Sequence, residues 1–307
     1  MKLLIVCSGS SGNISPFIKE QAESIRDEGI SVEYFLIEGK GISGYLKNIY
    51  RFNTVIQNYK PDIIHAHYGL SGLFANLQRR VVVITTFHGS DINYKIISLF
   101  SLLTMKLSKH NIFVSDKIAE KALAKRNFSV IPCGIAMNIF SPTDQKEARA
   151  KLYLRENKKI ILFSGSFDNP VKNYPLAKSA VDLLEDNIEL IELKGYSREQ
   201  VNNLLNACDV ALMTSYTEGS PQFIKEAMAC NCPIVSTDVG DAKEIIGDTE
   251  GCYICSYEPE DVAEKIKKAL NFDKRTNGRE KIKHLDEKII AQKIIAIYRK
   301  VLEDTII

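Results

Sequence analysis

Short apolar runs of strand-forming residues alternate with helical stretches along almost the whole chain. This alternation limits the fold more than any other feature. Lys2–Cys7, Ser31–Ile37, Asp62–His65, Val81–Thr86, Ile112–Val114 and Ser129–Ile131 read as strands. Between them, Asn13–Glu28 (closed by Gly29), Tyr45–Tyr59, Leu70–Gln78, Asn93–Ser108 and Ser115–Lys125 read as helices. Strands that are apolar throughout and separated by helices belong in parallel sheets covered on both faces. The pattern breaks at Ser141-Pro142-Thr143-Asp144, which reads as a linker before a helix at 145–154. A second alternation follows, with strands at 160–163, 189–193, 209–213 and 234–236. Its helices fall near 174–184, 198–207, 222–230 and from Ala242, and residues 260–270 and most of 280–303 are helical. The expectation is an α/β chain of two Rossmann-like domains, residues 1–142 and 143–285. A C-terminal helix over 286–307 would cross back to the first domain. Ligands of such sheets bind outside the carboxyl ends of the strands.

Composition excludes several classes. The 307 residues are 45% hydrophobic and 25% charged, an ordinary globular balance. The longest apolar run, Ile96–Met105, is broken by serines and a threonine and is too short to span a bilayer. The chain opens Met-Lys and runs directly into a strand, unlike a signal peptide. Seven cysteines, an odd number and mostly inside apolar runs, suggest reduced thiols and a cytoplasmic setting. No nucleic-acid partner is expected. Charge is uneven, with 16 Lys+Arg against 10 Asp+Glu in residues 1–142 and 24 against 28 in residues 143–307. Residues 39–61 carry Lys40, Lys47, Arg51 and Lys60 and no acid before Asp62, interleaved with Tyr45, Leu46, Ile49, Tyr50 and Phe52. Such a basic amphipathic helix can rest on the inner face of an anionic membrane, or pack its apolar side on its own sheet.

Glu218-Gly-Ser-Pro-Gln-Phe-Ile-Lys-Glu226 places one carboxylate in a loop and a second on the helix that follows. Pro221 suits the first turn of that helix, where free N–H groups and the positive end of the dipole can hold an anion such as phosphate. Glu226 in the helix body could then hold sugar hydroxyls. Ser8-Gly-Ser-Ser-Gly12-Asn follows the first strand and allows close backbone approach, but only Gly9 and Gly12 fit a dinucleotide fingerprint. That disfavours a dehydrogenase. His65-Ala-His67 puts two histidines on one side of a strand, readable as metal ligands or as structural histidines. His88, in Thr86-Phe-His88-Gly-Ser-Asp91, stands at a strand tip. Cys230, Cys232, Cys252 and Cys255 have a zinc-like spacing but lie in apolar runs where core thiols belong. The chain contains no D-x-D pair, the simplest holder of a divalent metal on a nucleotide diphosphate.

Taken together, "PDIIHAHYGLSG", "TTFHGSD", "VIPCGIAMNIFSP" and "DVALMTSYTEGSPQFIKEAMACNCPIVSTDVGDAKEII" resemble the retaining glycosyltransferases of family 4 over nearly the whole length. The resemblance implies the GT-B fold, with two Rossmann-like domains facing across a cleft. It implies a transfer from a nucleotide-sugar donor to a glycan or lipid-linked acceptor, in surface polysaccharide or glycolipid synthesis, with no cofactor and no metal. Glu226 would hold the ribose hydroxyls. Glu218 and the backbone of Gly219, Ser220, Pro221 and Gln222 would face the donor sugar and diphosphate. Lys172 matches the diphosphate lysine, His88 the histidine beside the transferred sugar, and Gly12 a loop near the phosphates or acceptor. Catalysis would be front-face attack assisted by the leaving diphosphate, with no residue assigned as general base. The chain departs from the family at Ser166, where an arginine usually follows the glycine, and in the 45 residues between Lys172 and Glu218, a shortened second domain. A sugar-nucleotide epimerase and a non-catalytic sugar-nucleotide-binding subunit are the alternative readings.

Overall fold

The computed structural model describes residues 1–9, 14–39, 41–93, 95–184 and 187–306. They form two compact units, Met1–Gly134 with Glu287–Ile307, and Ile135–Asp286. The first unit holds strands β1 (Lys2–Ser8), β2 (Ser31–Ile37), β3 (Ile63–His67), β4 (Val82–Phe87), β5 (His110–Phe113) and β6 (Phe128–Val130). Its helices are α1 (Pro16–Asp27), α2 (Gly41–Lys47), α3 (Ile49–Tyr59), α4 (Gly69–Asn76), α5 (Ser90–Asn93), α6 (Lys95–Leu107) and α7 (Asp116–Lys121). In the second unit, α8 (Gln145–Lys151) precedes β7 (Lys159–Phe163), α9 (Tyr174–Asp182), β8 (Ile188–Glu192), α10 (Arg198–Ala207) and β9 (Val210–Met213). Then come α11 (Gln222–Ala229), β10 (Ile234–Thr237), α12 (Ala242–Ile246), β11 (Cys252–Cys255), α13 (Pro259–Phe272) and α14 (Gly278–Lys281). The last helix, α15 (Glu287–Ile306), belongs to the first unit.

Both sheets are parallel, with orders β2-β1-β3-β4-β5-β6 and β11-β10-β9-β7-β8. Side chains alternate across a strand. Leu3, Ile5 and Cys7 therefore pack with Ile18 and Ala22 of α1 and Ile290, Ile294 and Tyr298 of α15. Leu4 and Val6 pack on the opposite face with Phe52 and Ile56 of α3 and Phe74 of α4. In each sheet the strand order reverses beside the unit's first strand, between β1 and β3 and between β7 and β9. Those crevices are where an open α/β sheet takes its ligand. The second sheet has β11 and β8 at its edges.

Local details differ from the sequence expectations for identifiable reasons. The helix expected over 45–59 is broken at Asn48. The buried Asn48 amide donates to the carbonyls of Glu38 (2.8 Å) and Gly44 (2.7 Å), the local competition that asparagine offers to a helix. The strand expected to end at His65 runs on to His67. The Ser141–Asp144 stretch is no free linker. Its Ser141 and Thr143 amides donate to Asn202 (3.1 Å) and Asn206 (2.8 Å) of α10, so the division falls earlier, at Gly134/Ile135. The seven cysteines are buried and reduced, with Cys208 and Cys232 sulfurs 3.4 Å apart in the second core.

Candidate functional site

The second unit's crevice is built from the loops after β7 and β9. Gly165 lets the Lys172 side chain lie across the tip of β7, since a Cβ there would meet Lys172 Cγ at 2.9 Å. Asn169 accepts from the Val171 N–H (3.1 Å) and caps the 3-10 turn Pro170–Lys172. The Thr214 hydroxyl donates to the carbonyls of Lys172 and Asn173, both at 3.0 Å, and the Tyr216 N–H to that of Val171 at 2.9 Å. The two loops are thus stapled together. Lys172 Nζ then reaches Glu218 Oε1 at 2.7 Å, and Ser215 Oγ donates to the same oxygen at 2.9 Å. The two side chains are 21% and 19% exposed, so the pair is held yet open to a ligand.

Beyond Glu218 the chain turns into α11. Pro221 occupies the N-cap rather than the first turn, and it makes no side-chain cap hydrogen bond to the helix. Gly219 is pressed against Gly240, whose φ of 57° and lack of a Cβ allow the backbones to meet. Ser220 is occupied. Its hydroxyl donates to Asp241 Oδ2 (2.6 Å) and accepts from the fully buried Lys225 (2.7 Å). Burial raises the Asp241 pKa, and Lys225 opposes that rise. Glu226 lies one turn along α11, 3% exposed, with Oε1 2.6 Å from the Arg198 guanidinium. Arg198 in turn lies over the Phe140 ring at 4.5 Å.

The structure therefore brings Lys172, Glu218 and the start of α11 (Gly219, Pro221, Gln222) together. It puts Glu226 in a separate ion pair and Ser166 in a third group. Ser166 bonds Asp168 and Glu192, and Lys194 closes on Asp168 at 2.9 Å. Gly12 lies outside the described residues. Sequence reasoning missed Arg198 and Lys194, although both follow β8 directly and so stand at a carboxyl strand end.

The first unit's cluster, at the ends of β3 and β4 and so on one side of the β1/β3 crevice, is of another kind. The Asp91 carboxylate accepts from the N–H groups of Gly69 (3.1 Å), His88 (3.1 Å) and Gly89 (2.9 Å), clasping the loops after β3 and β4. Burial pushes its pKa up to about 6 against those donors. His88 Nε2 meets His67 Nδ1 at 3.0 Å, its Nδ1 lies 3.7 Å from Cys133 Sγ, and the rings of Tyr68 (4.6 Å) and Phe17 (5.0 Å) pack against it. Tyr68 has φ 73° and ψ 148°, backbone that glycine adopts readily and tyrosine does not. Strain of that sort, about 1–3 kcal/mol, clusters at functional sites. His65 is a structural histidine, its two nitrogens bonded to the hydroxyls of Tyr298 (2.6 Å) and Thr86 (2.7 Å). Burial holds both strand histidines neutral, His67 down to about 3. Sequence reasoning singled out His67 as a metal ligand or structural histidine but missed it as the support of His88, because their contact joins two strand tips 21 residues apart.

Two family models match, one in each unit. Residues 6–138 match Glycosyltransferase Family 4, and residues 175–271 match Glycosyl transferases group 1. A Bacillus subtilis protein named as a teichuronic acid biosynthesis glycosyltransferase is 26% identical over 67% of this chain and 60% of its own length. The N,N'-diacetylbacillosaminyl-diphospho-undecaprenol alpha-1,3-N-acetylgalactosaminyltransferase of Campylobacter jejuni is 24% identical, covering 93% of this chain and 90% of that protein. Among solved structures, a sucrose-phosphate synthase of Thermosynechococcus elongatus superposes with a TM-score of 0.84 at 17% identity, covering 99% of this chain and 100% of that one. Anabaena HepE in complex with UDP superposes at 0.77 and 16% identity, covering 98% and 100%. The first unit thus matches the Glycosyltransferase Family 4 model and the second unit the Glycosyl transferases group 1 model, and the chain has the GT-B fold.

Proposed function

We propose that the chain moves a sugar from a nucleotide-sugar donor to a glycan or lipid-linked acceptor, with retention of configuration and without a metal. The observation that carries the reading is the Lys172–Glu218 pair, 2.7 Å apart and partly exposed, beside the start of α11. A diphosphate arriving there takes over the lysine and the helix amides, and each charge-assisted hydrogen bond is stronger than a neutral one. Glu218, released from the lysine, is free to meet donor-sugar hydroxyls. Glu226, held in place by Arg198, meets the ribose. Arg198 also supplies a cation to the unit that lacks one at Ser166. His88, positioned by His67, lies against the transferred sugar. Attack comes from the front face, with the departing diphosphate taking the acceptor proton, so the protein contributes positioning and charge stabilisation.

Support for the donor class comes from Anabaena HepE, solved with UDP and with UDP-glucose, and for the acceptor class from the diphospho-undecaprenol in the Campylobacter jejuni enzyme's name. Relatives named as transferases disfavour the epimerase and the subunit readings. The test is to incubate the protein with UDP-, GDP- and ADP-sugars, with and without lipid-diphosphate-linked acceptors. Acceptor-dependent release of one nucleoside diphosphate supports the proposal. Sugar interconversion without acceptor, or no turnover of any donor, contradicts it.

A further inference from the structure

Helix α6 is inside out. A helix on the surface of a globular unit buries its large apolar residues and shows water its polar ones. In α6 the face turned to α4 is small and polar, with Ser101 and Thr104 fully buried and Ser108, just past its end, 6% exposed, while Met105 beside it packs on the Phe87–Phe113 cluster. They pack on α4, where Gly69 and Gly72 have no room for a Cβ against Ser101 and Thr104. Thr104 donates to the Gly69 carbonyl (2.7 Å) and Ser101 to that of Asp91 (2.8 Å). The outward face is Leu99 (68% exposed), Phe100 (40%), Leu102 (41%) and Leu103 (47%). Leu99, Leu102, Leu103 and Lys106 follow the i, i+3, i+4, i+7 spacing of one helical stripe. Small residues between helices with large ones outside is the arrangement of helices packed in lipid.

Charge says what meets this face. Helices α3, α4 and α6 lie on one side of the first sheet, over Leu4, Val6, Val83 and Thr85. From residue 39 to residue 109 the sequence has nine Lys+Arg and two acids, Asp62 and Asp91. Asp91 is buried, and Asp62 holds the Lys2 amide at 2.7 Å. The opposite layer is mixed, with Glu20, Glu23 and Asp27 on α1 and Glu303 and Asp304 on α15. The geometry points to α6 as an anchor that lies in the interface of an anionic bilayer, its leucines and Phe100 among the acyl chains. Lys106, Arg79, Arg80 and Lys47, all exposed, face the headgroups. No described helix is long and apolar enough to cross a membrane, so the contact is peripheral. Helix α3 turns Phe52 and Ile56 into the core, and its one cation, Arg51, is paired with Glu38 at 3.2 Å, so it is not the anchor. This surface is argued from the first unit alone and stands whether or not the donor site works as proposed.

The test is sedimentation of the full chain with vesicles of phosphatidylcholine, alone or with 30% phosphatidylglycerol. The expected result is binding to the anionic vesicles only, weakened at least tenfold in Leu99→Glu/Leu103→Glu. Both positions are exposed, so folding and calorimetric nucleotide binding should match the unaltered chain. The sequence contains no tryptophan. Leu102→Trp therefore gives a single tryptophan, which can be excited apart from the tyrosines at 295 nm or above and whose emission should shift to the blue on anionic vesicles. Binding that survives the double substitution, an unshifted Leu102→Trp spectrum, or an α6-dependent dimer without vesicle binding would each overturn the proposal.

Discussion

The two crevices share one topology and differ in chemistry. In the second unit cations and carboxylates stand in pairs, Lys172 with Glu218 at the ends of β7 and β9, and Arg198 at the start of α10 with Glu226 of α11. At the ends of β3 and β4, imidazoles and aromatic rings stack, and burial keeps the strand histidines uncharged. The difference teaches that strand order decides where a ligand goes, while the side chains at the strand tips decide which ligand. Paired charges suit a diphosphate, since they can exchange one partner for another without creating a buried lone charge. A neutral hydrogen-bonding cluster suits sugar hydroxyls.

The contrast can be broken by pH. The folded-state pKa of His67 lies near 3, below its usual 6.5, so the unfolded chain binds more protons between those values. Stability should be full above about 6.5 and fall as pH drops towards 3, by up to about 5 kcal/mol at ~1.4 kcal/mol per pH step. Asp91 acts with the opposite sign. Its folded pKa near 6 exceeds the usual 3.8, so its contribution declines as pH rises between them. His65, also held neutral by burial, contributes in the same direction, so urea unfolding across pH 3–8 should show the acid limb reduced in His67→Asn. An unchanged limb would place the titrating group elsewhere. The next effect concerns charge. Lys172→Ala should lower kcat/KM for the nucleotide sugar about 10²–10³-fold, the cost of losing one preorganised charge at a reacting group. Donor affinity should weaken in step, whereas His88→Ala should lower kcat and leave nucleotide affinity close to the unaltered value. If both variants lose affinity equally, the two crevices do not divide the work. Glu226→Gln keeps a hydrogen bond to Arg198 and should weaken nucleotide binding about tenfold, or ~1.4 kcal/mol. Glu226→Ala should also destabilise the fold by about 2 kcal/mol, as Arg198 is left partly buried without its partner. Smallest is Ser220→Ala, with about 1 kcal/mol lost from the Lys225–Ser220–Asp241 bridge and donor affinity little changed.

Much of this was legible before any coordinates. Apolar strands and helical punctuation marked both sheets, and α10 and β2 fall on their expected residues. Lys172 and Glu218 could be picked out as candidates through family resemblance, but their direct contact could not, because 45 residues lie between them. Arg198 was hidden for the same reason, since a pair between α10 and α11 has no local signature. Ser220 looked like a ligand contact from its place in the loop, and only packing shows it holding Lys225. The inside-out helix was misjudged in a more instructive way. The serines and threonine that interrupt Ile96–Met105 looked like flaws in an apolar run, and they are the face by which the helix packs. Composition cannot say which side of a helix is inside. That depends on the glycines of its neighbour, α4.

The most direct measurement is calorimetric titration of UDP, GDP and ADP into the unaltered protein and into Lys172→Ala and Glu226→Gln, first with EDTA and then with magnesium. One nucleotide should bind equally well in both conditions, Lys172→Ala should abolish most of that binding, and Glu226→Gln should reduce it about tenfold. Binding that requires magnesium, or that survives Lys172→Ala unchanged, would contradict the claim that the crevice between β7 and β9 holds the donor diphosphate with its own cations and helix amides.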